Sequence, residues 1–372
     1  MKIGILTFHC AANYGAVFQT YGLQEVLKKL GHEVYIVNYR PDYLLNPYLP
    51  FKFHYNTKRS LLSNIKDYIR QYFLVNPTRK KRLRLFEDFQ RTQLRMCPIS
   101  AIPEMDIVVF GSDQIWNTHI TDGDFDDMFI GKTKVFKGKY LVAYAASAGY
   151  MDAICNDEKL VNALLEFDAL SVREDSLSRH LEKALNVPVS VVLDPVLLAG
   201  KDTFNQIAKV PSFQRPYLLT FQLGGDSRVS QIGQRMAKEK GLIYKEIRSS
   251  TESLNRDIFT NLAPTEVLGY FKQADYIITS SFHGTALSVL FEKSFNVVSV
   301  SVRADERADM LLTGLGLSSR KIIGEQHINN SRIDYNSVNE ILECRRESSM
   351  AFLKENLSNA LSIKNSYYCS KT

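Results

Sequence analysis

The segment Thr279-Ser280-Ser281-Phe282-His283-Gly284-Thr285 places several hydroxyls and one imidazole on a single short turn. A strand-like pattern precedes it and a helical pattern follows. The free N–H groups at such a helix start favour an anion. Gly284 removes a side chain where a ligand could approach. Ser280, Ser281, Gly284 and Thr285 are therefore candidates to bind an anionic donor, and His283 to act on it as acid or phosphate partner. The competing reading of a lone histidine is structural.

A second cluster, Gly111-Ser112-Asp113-Gln114-Ile115-Trp116-Asn117, surrounds the only tryptophan of the chain. A carboxylate beside an aromatic platform suits a sugar, which offers apolar faces and hydroxyls together. Asp113 is a candidate base for a sugar hydroxyl, and Gln114, Trp116 and Asn117 candidate acceptor contacts; alternatively, Asp113 simply caps a helix. The loop His9-Cys10-Ala11-Ala12-Asn13-Tyr14-Gly15 could lend Asn13, Tyr14 and Gly15 to the same acceptor, or only form a turn. It lacks G-x-G-x-x-G and G-x-x-x-x-G-K-[ST], so dinucleotide and P-loop readings lose ground.

Arginines complete the set. Arg173 follows a strand pattern at Ala169–Val172, and Arg303 and Arg307 lie four apart, able to share a helix face. A guanidinium fork binds carboxylate or phosphate bidentately, unless neighbouring acids such as Glu174, Asp305 or Asp309 claim it. The seven histidines are scattered without metal-ligand spacing, and no G-x-S-x-G elbow occurs. These residues point to acid/base chemistry on a small anion, with no metal and no cofactor expected.

Such turns need strands and helices to hold them. Lys2–Phe8, a helical stretch over Gly15–Leu30 and Glu33–Tyr39 form a βαβ unit. Strand patterns recur at 106–110, 140–146, 169–173 and 189–193, and again after Pro211 and Pro216 at 217–221, 242–247, 275–279 and 296–300. Two blocks of alternating strands and helices predict an α/β protein of two doubly wound, Rossmann-like domains. The expected boundaries are 1–200, with a basic helical insertion at about 41–100, and 215–330. A long helix over 335–362 is expected to pack back on the N-terminal domain. Ligands of such sheets bind beyond the carboxyl ends of the strands, which is where the candidate residues stand.

Composition excludes other classes. The 372 residues are 45% hydrophobic and 23% charged, which rules out disorder and low complexity. No apolar run approaches membrane-spanning length, and the N-terminus does not have the shape of a signal peptide. Five widely spaced cysteines without C-x-x-C suggest a reducing, cytoplasmic setting. The net charge of +6 is uneven: residues 58–95 hold eleven Lys or Arg against three acids. That run carries an apolar stripe at 61/62, 65, 68/69 and 72/73. The stripe either packs on the first domain or meets an anionic membrane from the cytoplasmic side. No nucleic-acid-binding module surrounds it.

Six blocks carry a family resemblance: Thr7-Phe8-His9 with Asn13-Tyr14-Gly15-Ala16, Gly111–Asn117, Tyr144-Ala145-Ala146-Ser147, Val172-Arg173-Glu174-Asp175, Leu193-Asp194-Pro195 and Ser280–Thr285. In this order they resemble the polysaccharide pyruvyl transferase family. The resemblance implies a bacterial enzyme of capsule or exopolysaccharide synthesis with a GT-B-like fold. It implies a pyruvate ketal placed on a lipid-linked or nucleotide-linked sugar, from phosphoenolpyruvate, with release of phosphate. It makes His283 and Arg173 donor-site residues. Some members carry an Arg two residues before this His, where the present chain has Ser281. Either Arg303 or Arg307 takes over, or this branch handles the donor differently. The alternatives are a GT-B glycosyltransferase using a nucleotide sugar, and a non-catalytic sugar- or anion-binding partner.

Overall fold

A computed structural model describes the chain apart from residues 53–59, 150–157, 214, 249–254, 256, 301, 325–327 and 370–372; the side chains of 302–305 and 365–369 also lie outside the described residues. Thirteen strands form two parallel sheets among the described residues. The first contains β1 (Lys2–Leu6), β2 (Glu33–Val37), β3 (Met96–Cys97), β4 (Ile107–Phe110), β5 (Tyr140–Ala146), β6 (Ala169–Val172) and β7 (Val189–Val191), in the order β3-β2-β1-β4-β5-β6-β7. The second contains β8 (Tyr217–Gln222), β9 (Ile243–Arg248), β10 (Ile258–Phe259), β11 (Tyr276–Thr279), β12 (Ser294–Val298) and β13 (Lys321–Ile322), in the order β10-β9-β8-β11-β12-β13. In each, the order reverses beside the first strand of the sheet, the doubly wound arrangement. β3, β10 and β13 have two residues each and show no periodicity to read.

Central strands are buried end to end, as Ile107-Val108-Val109-Phe110 and Tyr217–Gln222 are, because helices cover both faces. The helices are α1 (Tyr14–Lys29), α2 (Asp42–Leu45), α3 (Leu61–Arg70), α4 (Asn76–Gln93), α5 (Glu158–Leu164), α6 (Asp175–Leu185), α7 (Pro195–Asn205), α8 (Ser227–Glu239), α9 (Pro264–Gln273), α10 (Phe282–Leu290), α11 (Val302–Gly314) and α12 (Tyr335–Cys369). One hydrophobic core runs through both domains, joining Phe18 and Phe204 to Phe221 and Phe271.

Helix α7 carries the chain between the sheets. Its start is fixed by Asp194, whose carboxylate accepts from the Val196 N–H at 2.9 Å, and by Pro195 at the first helical position. It lies so close to α1 that a Cβ on Gly22 would stand 2.6 Å from the Pro195 carbonyl oxygen. Helix α12 begins on the second domain, where the Tyr335 hydroxyl donates to the Lys293 carbonyl at 2.6 Å. It then crosses to the first, where Ser349 Oγ accepts from Leu193 N–H at 2.9 Å and Lys364 pairs with Asp106 at 2.7 Å.

The insertion splits into two unlike parts. Helix α4 buries Phe86 and Phe89 in the shared core. Helix α3, joined to it by a π-helical turn at Gln71–Val75, turns its apolar stripe outward, so the packed alternative for that stripe does not hold.

Candidate active site

The carboxyl ends of both sheets face one another, and α1 and α10 enter the same cleft by their N-termini. Asn13 caps α1 by accepting from Gly15 N–H at 2.9 Å. Ser281 caps α10 by accepting from Gly284 N–H at 3.0 Å. Helix α10 starts at Phe282, inside the segment that the sequence pattern reads as a turn, which puts His283 in its first turn. A Cβ on Gly15 would stand 2.1 Å from His283 Nδ1, so the imidazole lies directly against the backbone of α1. Gly15 thus makes room for a side chain of the other domain.

Around this contact lies a charged cluster. Arg173, 5% exposed, donates from Nη1 to Asp194 Oδ2 at 2.8 Å and lies 3.9 Å from Glu174 Oε1. Its guanidinium stands 5.2 Å from the Phe282 ring centroid, and that of Arg307 5.6 Å. Asp194 Oδ2 also stands 3.9 Å from His283 Nε2. The Gln114 amide, oriented with its oxygen toward Arg307, accepts from both terminal nitrogens at 2.8 and 3.1 Å across the cleft. Four buried atoms here, Arg173 Nε and Nη2, Glu174 Oε2 and His283 Nε2, have no hydrogen-bond partner among the described residues. Buried polar atoms left unpaired are costly, and several together mark a place built to receive a ligand.

The electrostatics follow. Burial, with the Arg173 and Arg307 charges, pushes His283 from its ordinary value down to about 3, although Asp113 opposes the shift. The start of a helix disfavours an imidazolium further. His283 is therefore neutral at physiological pH in the free protein. Burial also works against the charge on Arg173, but Glu174, Asp194 and Asp113 outweigh it and hold its pKa up. Arg307 is lowered, by lost hydration first and by Arg173 second. Burial raises Glu174. Beside this cluster opens a cavity of about 660 Å³, whose walls include Arg173, Asp194, Phe282, Arg307 and Arg345.

Several expected ligand contacts are placed otherwise. Trp116 is fully buried, and its indole N–H donates to the Phe129 carbonyl at 3.3 Å; it is core, with no face toward the cleft. Tyr14 is also fully buried, and its hydroxyl donates to the Leu262 carbonyl at 2.9 Å, tying the two domains together. Asn117 is buried beside Gln114 and accepts from His119 N–H at 3.0 Å. Thr285 is buried and donates back to the Ser281 carbonyl at 3.0 Å. Gly284 serves packing, not ligand approach: a Cβ there would meet Thr279 Oγ1 at 2.0 Å. Ser280 is half-buried at the end of β11. Asp113 starts no helix. It holds φ +92 and pairs in a β-bridge with Ala146, a conformation that non-glycine residues adopt only when their surroundings enforce it. The Arg303 side chain lies outside the described residues.

Two residues of the site carried weaker signals. Asp194 sits in the block Leu193-Asp194-Pro195, which reads as a strand stop. Arg82 is hidden in a run of surface charge. It is 5% exposed and donates to the carbonyls of Ala12 at 2.8 Å and Thr260 at 3.1 Å, one from each domain. Among the described residues, no group of His, Cys, Asp and Glu could hold a metal ion.

Two facing Rossmann-like domains, with a cationic cluster at their common strand ends and a C-terminal helix crossing back, define a GT-B-like α/β architecture. The family model of polysaccharide pyruvyl transferase matches residues 13–302, and the chain belongs to that family. No curated protein matches it. Among solved structures it is similar to UDP-N-acetylglucosamine 2-epimerase from Rickettsia bellii, at 13% identity and TM-score 0.49, with 99% of each chain covered. A putative enzyme of that name from Listeria monocytogenes is similar at 10% identity and TM-score 0.48, covering 92% of this chain and 95% of that one. A Streptomyces glycosyltransferase complexed with thymidine diphosphate is similar at 13% identity and TM-score 0.41, covering 97% and 96%.

Proposed function

We propose that the chain transfers pyruvate from phosphoenolpyruvate to two hydroxyls of a lipid-linked or nucleotide-linked sugar in cell-surface polysaccharide synthesis, forming a cyclic ketal and releasing phosphate. The observation that carries this reading is the unpaired set Arg173 Nε and Nη2 with His283 Nε2, next to Arg307. A carboxylate and a phosphate on one small molecule require several cationic or N–H partners, and this cluster supplies them. Arg307, 5.6 Å from the Phe282 ring centroid, takes the place of the arginine missing at Ser281.

The donor's negative charges offset what depresses His283, so its pKa rises when donor binds. His283, then protonated, gives a proton to the methylene carbon, which becomes methyl. The cationic centre at C2 accepts one sugar oxygen. The C–O bond to phosphate breaks, and the second sugar oxygen takes its place. Two hydroxyl protons are released: Asp113 accepts the first, returning the count lost from His283, and the second leaves with phosphate. Arg173 and Arg307 stabilise the departing phosphate. The unpaired atoms are shielded from solvent, so donor enters when the domains part at the Gly15–His283 and Gln114–Arg307 contacts.

Phosphate release from phosphoenolpyruvate, measured with a panel of polyprenyl-diphosphate and nucleotide sugars, tests the reading. Release that depends on one sugar, with a pyruvate ketal in the product, is expected. Thermal stabilisation by UDP-sugars and none by phosphoenolpyruvate would instead favour glycosyl transfer.

A further inference from the structure

Helix α3 is amphipathic in the reverse sense for a globular protein. Its polar side faces inward: Asn64 is buried, and Ser63 and Asp67 are half-buried. Its apolar side faces out, with Leu61 at 63% exposure, Leu62 at 72%, and Ile65, Tyr68 and Ile69 also exposed. Tyr72 and Phe73, on the following π-helical turn, continue the stripe, Phe73 at 71%. Positions 61, 65, 68, 69 and 72 fall on one helical face, so this is one continuous surface. Folding that hid Phe86 and Phe89 of α4 in the core left these seven in water. A patch of this kind marks a docking surface.

Charge says what docks there. Lys66 and Arg70 flank the stripe, and Lys80, Lys81 and Arg84 follow on α4, all exposed. An apolar face rimmed by cations, with tyrosines at its edge, matches the boundary of an anionic lipid layer. A second copy fits poorly, because a two-fold contact would set the same cations against one another. None of the described helices is long and apolar enough to cross a membrane, so the contact would be along the surface.

We propose that the outward face of Leu61–Phe73 docks this protein on an anionic lipid surface, with Lys66, Arg70, Lys80 and Lys81 supplying the attraction. The docked segment is coupled to the cleft. From Phe73 the helix runs on to Arg82, about 14 Å at 1.5 Å per residue, and Arg82 grips the Ala12 carbonyl beside the cap of α1. The inference stands on the exposed face of α3, the turn after it and the start of α4, and does not depend on which donor the enzyme uses.

Co-sedimentation with phosphatidylcholine vesicles, with and without phosphatidylglycerol, tests it on the full chain. The wild type is expected on anionic vesicles at low salt and to be released by high salt. A K66Q/R70Q/K80Q/K81Q variant should bind at least about tenfold more weakly, and an L62S/I65S/F73S variant should not bind at either salt concentration. Both change exposed side chains, and unaltered melting and unaltered turnover on a water-soluble acceptor would show that only docking is lost. Failure of the wild type to bind anionic vesicles at low salt overturns the proposal. So does binding that L62S/I65S/F73S leaves intact. A dimer in sedimentation velocity that this variant dissociates, without vesicle binding, would assign the stripe to a second copy and also overturn it.

Discussion

Arg173 and Lys80 carry the same charge and are used in opposite ways. Around Arg173, cations are dry: Asp194 holds one edge of the guanidinium, Phe282 lies beside it, and two of its nitrogens are buried without a partner. Around Lys80, cations are wet, and each is screened over about 8 Å at physiological ionic strength. A dry cation is costly unless something pairs with it, so it selects its ligand closely. A wet one costs little and attracts any anionic surface. Residue type is shared, and burial separates recognition from general attraction.

The largest expected effect falls in the dry cluster. His283→Ala should reduce turnover at least about a hundredfold, roughly 2.7 kcal/mol in the barrier, with the melting temperature little changed. Turnover within about tenfold of wild type would remove His283 from the chemistry. Arg173→Ala should weaken donor binding by about 1.5–3 kcal/mol, measured calorimetrically. Unchanged affinity would leave Arg173 as only the ion-pair partner of Asp194.

Arg82 belongs to the basic run in sequence and to the dry class in structure. Arg82→Gln should cost about 2–4 kcal/mol of stability, because buried carbonyls of both domains lose a charged donor. Lys80→Gln and Lys81→Gln, next to it in sequence, should stay within about 0.5 kcal/mol. Equal losses in denaturant unfolding would erase the distinction between the two regions.

A smaller effect concerns pH. His283 is held near 3 in the folded chain, against an ordinary value of 6.5. Below 6.5 the unfolded chain takes up a proton that the folded chain refuses. The contribution of neutral His283 is therefore complete above about 6.5 and declines as pH falls toward 3. His283→Gln should flatten that part of the stability profile. An unchanged slope between pH 6.5 and 4 would show that the imidazole is not held neutral in the fold.

Much of this protein was legible from local pattern. Buried runs such as Ile107–Phe110, with Gly31 and Gly241 closing helices, identify an α/β chain because parallel strands covered on both faces must be apolar throughout. Strand ends followed by polar turns locate the cleft, since the doubly wound fold leaves ligands no other common edge. Arg173 and His283 stand at such strand ends; Asp113 stands at another, although the aromatic platform read beside it, Trp116, is core. What tertiary structure decided was which polar atoms are already spoken for. Ser281 and Thr285 are used in the first turn of α10, Trp116 and Tyr14 are in the core, and Gln114 holds Arg307. A hydroxyl that caps a helix and one that binds a ligand are identical in sequence, as are an indole in the core and one in a cleft. Gly15 and His283 are 268 positions apart, and no local rule relates them. Their contact exists only because two sheets close on each other, and that closure, through long-range packing, decides which side chains remain unpaired.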